Sequence, residues 1–175
     1  MTDDAGAADP LRTFQRLVAR LDYPMYVVTT VAADDGERSG CLAGFVIQCS
    51  IHPARHVVWV SEKNHTCRVV ERADVLAVHA LHRGNRDLAR LFGSETGDEV
   101  DKFSECEWSE GPDRVPVVAG TAGWFAARIA DRLPHTGDHV GYLVEPIAAW
   151  LPDDDDLRPD LGFQSVRDID PGHDP

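Results

Sequence analysis

Nowhere does the chain hold an unbroken apolar stretch near the roughly 20 residues that cross a bilayer, so no membrane-spanning helix is expected. Its first residues carry Asp3, Asp4 and Asp9 where a secretory leader would be basic, and no apolar segment follows them. No CxxC pair occurs among Cys41, Cys49, Cys67 and Cys106, which read as free thiols of a reducing cytoplasm. Basic residues are scarce: 17 Lys and Arg stand against 30 Asp and Glu, for a formal charge of −13. Such a field repels phosphate backbones and anionic lipid, which argues against nucleic acid and membrane as partners. Much of the acidic excess sits at the two ends, so the middle is closer to neutral. The Gly-x-Ser-x-Gly elbow of a hydrolase is missing, and so is the Gly-x-Gly-x-x-Gly of a dinucleotide-binding βαβ unit. Eight histidines invite a metal reading, but no His-Glu-x-x-His helix and no cysteine pairs support one. His79 and His82 straddle a strand end, where alternation puts them on opposite faces. No metal is expected.

What is present suits one globular domain: 175 residues, of which 43% are hydrophobic. Residues 1–9 read as a loose tail, 10–151 as the folded domain, and 152–175, acidic and dotted with proline, as a tail or a strap over the surface. Leu11, Phe14, Leu17, Val18 and Leu21 have the spacing of an amphipathic helix opened by Pro10. Strands are expected over Tyr26 to Val31, Phe45 to Ser50, His56 to Val60, Val75 to Leu81, Thr121 to Ile129 and Val140 to Trp150. A turn falls at Ala33-Asp34-Asp35-Gly36 and a loop at Pro134 to Asp138. Short helices are expected after Thr66, and from Asn85 to Phe92 with an end at Gly93. Many strands, few helices and no βαβ alternation point to a mainly β (α+β) chain built as a closed antiparallel barrel.

Three segments can carry chemistry. Between the first two expected strands lies Ser39-Gly40-Cys41-Leu42-Ala43-Gly44, whose small side chains let a flat ligand approach the main chain; the same residues suit a plain hairpin end. Ser61-Glu62-Lys63-Asn64-His65-Thr66 precedes a short helix, where exposed N–H groups and the Lys63 charge suit a phosphate. Alternatively Thr66 or Asn64 only caps that helix and Lys63 is a solvated charge. Gly137-Asp138-His139 opens the last long strand: a histidine held by a carboxylate can donate to a ligand or move a proton, or Asp138 serves only its own turn.

In order, these pieces resemble the flavin reductase-like family of FMN-binding split barrels, from Tyr23 to about Trp150. The matching pieces are PMYVVTT (Pro24 to Thr30), SGCLAGFVIQCSIHP (Ser39 to Pro53), VWVSEKNHT (Val58 to Thr66), DKF (Asp101 to Phe103) and GDH (Gly137 to His139). The resemblance implies an antiparallel split β-barrel with a few short peripheral helices. It implies that Gly40, Cys41, Leu42, Ala43 and Gly44 lie along an isoalloxazine ring, bonding its polar edge through main-chain N–H groups. Ser50 with Lys63, Asn64, His65 and Thr66 would hold the ribityl phosphate. Asp138 and His139 would sit near the ring or the incoming nicotinamide, with His139 in the catalytic role. It further implies a homodimer with flavin sites near the interface, FMN or FAD as the flavin, NADH or NADPH as donor, and in some members a monooxygenase that receives the reduced flavin.

Two departures stand out. Family members often carry Asn-Gly-x-Thr-x-Ser at the turn, where this chain has Ser39, Leu42 and Gly44 in place of the three polar residues, so only backbone contacts to the flavin remain. The usual Pro-Pro is here Pro53-Ala54. Hydride passes directly from nicotinamide to flavin in such a reductase, so the protein has only to stack the rings and stabilise charge. The competing readings are a flavin-dependent reductase of another small substrate and a non-enzymatic flavin-binding electron carrier.

Overall fold

The computed structural model describes residues 9–134, 137–153, 160–170 and 172. Helix α1 (Pro10–Val18) starts where expected: Asp9 caps it by accepting from the Leu11 N–H at 3.0 Å, and Pro10 occupies the first turn. None of its residues is buried.

Strand β1 (Tyr26–Val31) is buried on both faces, which is why it reads as a continuous β-branched run rather than an alternation. The turn at 33–36 returns the chain into β2 (Arg38–Ala43), paired antiparallel with β1 from Tyr26↔Ala43 to Val31↔Arg38. The segment expected as a hairpin end is therefore itself a strand. Residue propensity hides this, because Ser39, Gly40 and Ala43 are poor strand formers and only the cross-strand register makes them one. After β3 (Val46–Ser50), β4 (Arg55–Ser61) runs antiparallel to it. Helix α2 (His65–Val70) follows, capped by Asn64, whose side chain accepts from the Thr66 N–H at 3.0 Å. β5 (Val75–Ala80) pairs with β1, and α3 (Arg86–Ser94) runs through Gly93 instead of stopping there. Gly93 ends nothing: a Cβ on it would lie 3.1 Å from Leu42, so it is small because α3 packs against β2.

Residues 94–118, which carry no clear pattern in the sequence, include a short hairpin of β6 (Trp108–Glu110) and β7 (Pro116–Val118). The two long strands β8 (Gly123–Leu133) and β9 (His139–Trp150) complete a seven-stranded antiparallel sheet in the order β2-β1-β5-β8-β9-β4-β3. Their loop is described only in part, since His135 and Thr136 lie outside the described residues. The sheet curls, but its edge strands β2 and β3 are not hydrogen-bonded neighbours. The barrel is split, not closed.

Inside the curl sit Val28, Cys41, Val58, Leu76, Val78, Tyr142 and Val144. A second cluster lies outside β1 and β2, where Val27, Leu81, Phe92, Phe103, Leu161 and Val166 meet. Leu161 and Val166 come from the acidic C-terminal stretch. Leu161 donates its N–H to Leu81 O at 2.8 Å and accepts from Met25 N–H at 2.9 Å. Asp160 and Gly162 bridge to His82 and Pro24. Burying Leu161 and Val166, with Phe163 and Ile169 packed partly against the same cluster, joins these backbone bonds in holding the stretch against the sheet.

Candidate functional site

The β4–β9 register builds the site's polar end. Ser61 pairs with His139, and Glu62 N–H bonds Asp138 O at 3.0 Å, so the loop after β4 and the start of β9 lie side by side. Lys63 and Asn64 thereby come beside Asp138 and His139. Asp138 Oδ1 accepts from His139 Nδ1 at 2.6 Å. The histidine bond, with charge from His139 and Lys63, holds the Asp138 carboxyl below its ordinary range. Because a carboxylate can only accept, Nδ1 is the His139 nitrogen that carries its proton toward Asp138.

Strand β2 builds the opposite wall. As an edge strand it bonds β1 on one side only, so alternate residues turn their N–H and C=O to the open edge. Gly40 is one of these, because its carbonyl accepts from Lys102 Nζ at 3.1 Å rather than from β1. Leu42, two residues on, presents its backbone groups on the same edge.

Between these walls runs a cleft of about 600 Å³ lined by Cys41, Leu42, Ala43, Gly44, Lys63, Asn64, Asp138 and His139. It lies within the range of small-molecule sites, roughly 300–1,000 Å³. Four expected residues stand elsewhere. Gly40 and His65 line a neighbouring cavity of about 450 Å³ with Glu37, Asp98 and Lys102. Both ring nitrogens of His65 are engaged, Nε2 with Glu37 at 3.0 Å and Nδ1 with Asp98 at 2.8 Å. Arg68 and His65 together hold the Asp98 carboxyl down at about 2. Thr66 is fully buried, its Oγ1 3.0 Å from Ser39 Oγ and its N–H taken by Asn64, so it serves as packing and helix start. Ser50 ends β3, opposite Arg55, and lines neither cavity.

The cleft also contains residues the sequence did not single out. Phe163 stacks on Tyr23 at 4.9 Å and 15°, Tyr23 meets Phe45 at 6.0 Å, and Phe45 meets His139 at 5.3 Å. These rings make one wall, with Trp59 also lining the cleft; Arg167 adds a second cation beside Lys63, and Asp170 a second acid. Phe163 and Arg167 come from the C-terminal stretch, whose acidity concealed them. A usable signal was the spacing of Leu161, Phe163, Val166 and Ile169, apolar residues recurring within an acidic stretch.

This lining suits a flavin. A flat apolar ring system would meet aromatic and aliphatic walls and the open backbone edge of β2, while Lys63 and Arg167 offer cations to a phosphate. Burial pushes the Cys41 thiol up to about 11 and raises Cys67 and Cys106, which disfavours all three as thiolates, and the exposed Cys49 lies on β3 and does not line the cleft.

Comparison with known proteins agrees with that lining. The family model described as "Flavin reductase like domain" matches residues 18–167. The chain is 27% identical over 152 residues to the FMN reductase (NADH) RutF 1 of Methylorubrum extorquens, covering 85% of this chain and 74% of that one. It is 27% identical over 145 residues to the FMN reductase (NADH) RutF of Stutzerimonas stutzeri, covering 82% and 80%. Among solved structures, the NADH:FAD oxidoreductase SgcE6 of Streptomyces globisporus superposes with a TM-score of 0.74 at 25% identity, over 86% of this chain and 89% of that one. The chain belongs to the flavin reductase-like family.

Proposed function

We propose that this protein is an NADH-dependent flavin reductase that binds FMN, or FAD, in the cleft between β2 and the loops that meet where the end of β4 lies beside the start of β9. One observation carries the reading: an open backbone edge, an aromatic wall and a Lys63–Asn64–Asp138–His139 cluster converge on one cleft. Bound flavin would supply the hydride acceptor for reduced nicotinamide. The chain's part is positional. Leu42, on the open edge of β2, offers main-chain contacts along one ring edge, with Cys41, Ala43 and Gly44 lining the cleft beside it, and Tyr23, Phe45 and Phe163 exclude water from one side. Lys63 carries the charge that pairs with the phosphate. Asp138 accepts from Nδ1 of His139 and so fixes the ring's orientation, which would leave Nε2 of the neutral imidazole as an acceptor toward the flavin or the nicotinamide. The relatives' names support NADH as donor; NADPH is to be compared directly.

The homodimer belongs to the same proposal. Large apolar side chains stand exposed at Ile47, Ile51, Trp150 and Leu151, and along α1 at Leu11, Phe14 and Leu17. Exposed apolar area of this kind marks contact surfaces, and a second copy is the occupant we assign to it. No helix among the described residues is long and apolar enough to cross a membrane. All four cysteines are free thiols, which favours the cytoplasm. A monooxygenase taking the reduced flavin would be the downstream partner.

Equilibrium dialysis against tens of micromolar FMN tests the reading. Retention of one flavin per chain is expected, and no retention removes it. Light scattering should give twice the chain mass; a monomer that still binds flavin refutes the dimer.

A further inference from the structure

Lys102 is the chain's most buried cationic side chain among the described residues, 4% exposed. It makes no salt bridge there. Its ammonium donates to two carbonyls, Gly40 O at 3.1 Å and Phe92 O at 3.2 Å, and lies 5.7 Å from the centre of the Phe92 ring. A buried charge without a carboxylate partner is costly, and burial accordingly pulls the Lys102 pKa down. What offsets the cost is the position of those carbonyls. Phe92 O is among the last acceptors of α3, at the negative end of the helix dipole. Gly40 O lies on the open edge of β2, whose following residues line the cleft.

These two carbonyls belong to opposite pieces of the cleft's frame. Cys41 and Leu42 continue from Gly40, and Phe92 and Gly93 line the cleft from α3. The contact is close: a Cβ on Gly40 would stand 2.8 Å from the Phe92 ring and 3.0 Å from Val28 O. Helix and strand can meet at that distance only at a glycine. Resting on the proposed flavin site, we infer that Lys102 is a positioning residue, a buried bracket tying β2 to the end of α3 and so setting the place of the backbone edge that receives the flavin ring. It touches no ligand itself.

The bracket and the phosphate contact differ in what they sense. Removing the bracket disturbs the ring-binding edge, so it must weaken FMN and riboflavin by the same factor. Lys102→Met keeps the length and the apolar stem and loses both bonds; about a tenfold loss is expected for each ligand. Lys102→Arg keeps the charge and the donors and should restore both ligands to within about threefold of the parent. The two ligands are titrated by quenching of flavin fluorescence, with a thermal melt of each unliganded variant. Parent-like affinity in Lys102→Met overturns the inference, as does a loss confined to FMN, which would make Lys102 a long-range partner of the phosphate. An Arg variant as weak as the Met variant also overturns it, since packing alone would then explain both. Should Lys102→Met not fold, Lys102→Gln, which keeps one short donor, carries the same comparison: equal losses support the bracket and parent-like affinity refutes it. Absence of binding by the parent protein would instead strike the flavin site itself.

Discussion

Acid should unfold this protein through one histidine that takes no part in the site. His79 is fully buried on β5. Its Nδ1 donates to Val27 O at 2.9 Å, and its Nε2 accepts from Val118 N–H at 3.1 Å, so it ties β1 to the β6–β7 hairpin in one neutral tautomer. Protonating Nε2 would set a donor against a donor. Burial, opposed only by the Val27 bond, holds His79 down at about 4 against an ordinary 6.5. The unfolded chain therefore binds a proton between those values that the folded chain refuses. Stability from this group is complete above the ordinary histidine range and is lost as pH falls toward 4. By linkage the loss is about 2 kcal/mol at about pH 5 and approaches ~3 kcal/mol below the folded value. With a urea slope of roughly 2 kcal/mol/M, the midpoint at about pH 5 should lie about 1 M below that at about pH 8. Half-exposed His56, also lowered by desolvation, adds in the same direction, so the His79 share is read from the difference between the parent and His79→Gln. Asp98 and Asp138 act in a lower window, because carboxyls held below their usual values lose their contribution only as pH falls through the folded ones. Equal midpoint shifts in parent and His79→Gln would refute the reasoning.

Three further outcomes follow from the cleft. Lys63→Ala should weaken FMN by about tenfold, the value of one charge-assisted bond, and leave riboflavin unchanged; equal effects on both would return Lys63 to an ordinary surface charge. Phe163→Ala removes the ring stacked on Tyr23 and should lower flavin affinity while the melt drops by a few degrees, since losing a partly buried aromatic costs about 1 kcal/mol; unchanged affinity would detach the C-terminal stretch from the site. Gly141→Ala places a methyl 2.7 Å from the Trp59 ring, which must swing along the cleft wall; flavin titration should show weaker binding with little change in melting, and parent-like affinity would show that Trp59 is not a wall.

How far the sequence spoke for itself depended on where structure is decided. β1, β4 and β5 were legible because buried β-branched runs have few alternatives. Asn64 to Val70 was legible because an amide before a helix caps it. β2 was not, since its small residues become a strand only by pairing with Val27 to Val31. The same holds at the site: Lys63, Asn64, Asp138 and His139 lie in turns whose composition marks them. Tyr23, Phe45 and Phe163 looked like ordinary apolar residues until the chain's return brought them together. Thr66 and His65 had the composition of ligand donors, yet Ser39, Glu37 and Asp98, distant in sequence, use those donors up. Lys102 stood in the sequence only within the DKF piece, and its bonds were not legible because its two carbonyls lie on separate elements.

The central claim, that this cleft hands hydride from a nicotinamide to a flavin, is tested by anaerobic titration of the FMN-loaded protein with NADH, following the flavin's visible absorbance. Stoichiometric bleaching that oxygen reverses, at a rate far above that of free FMN with NADH, is the predicted result. Flavin that stays bound and oxidised in the presence of excess NADH and excess NADPH would contradict it and leave a flavin-binding protein without reductase activity.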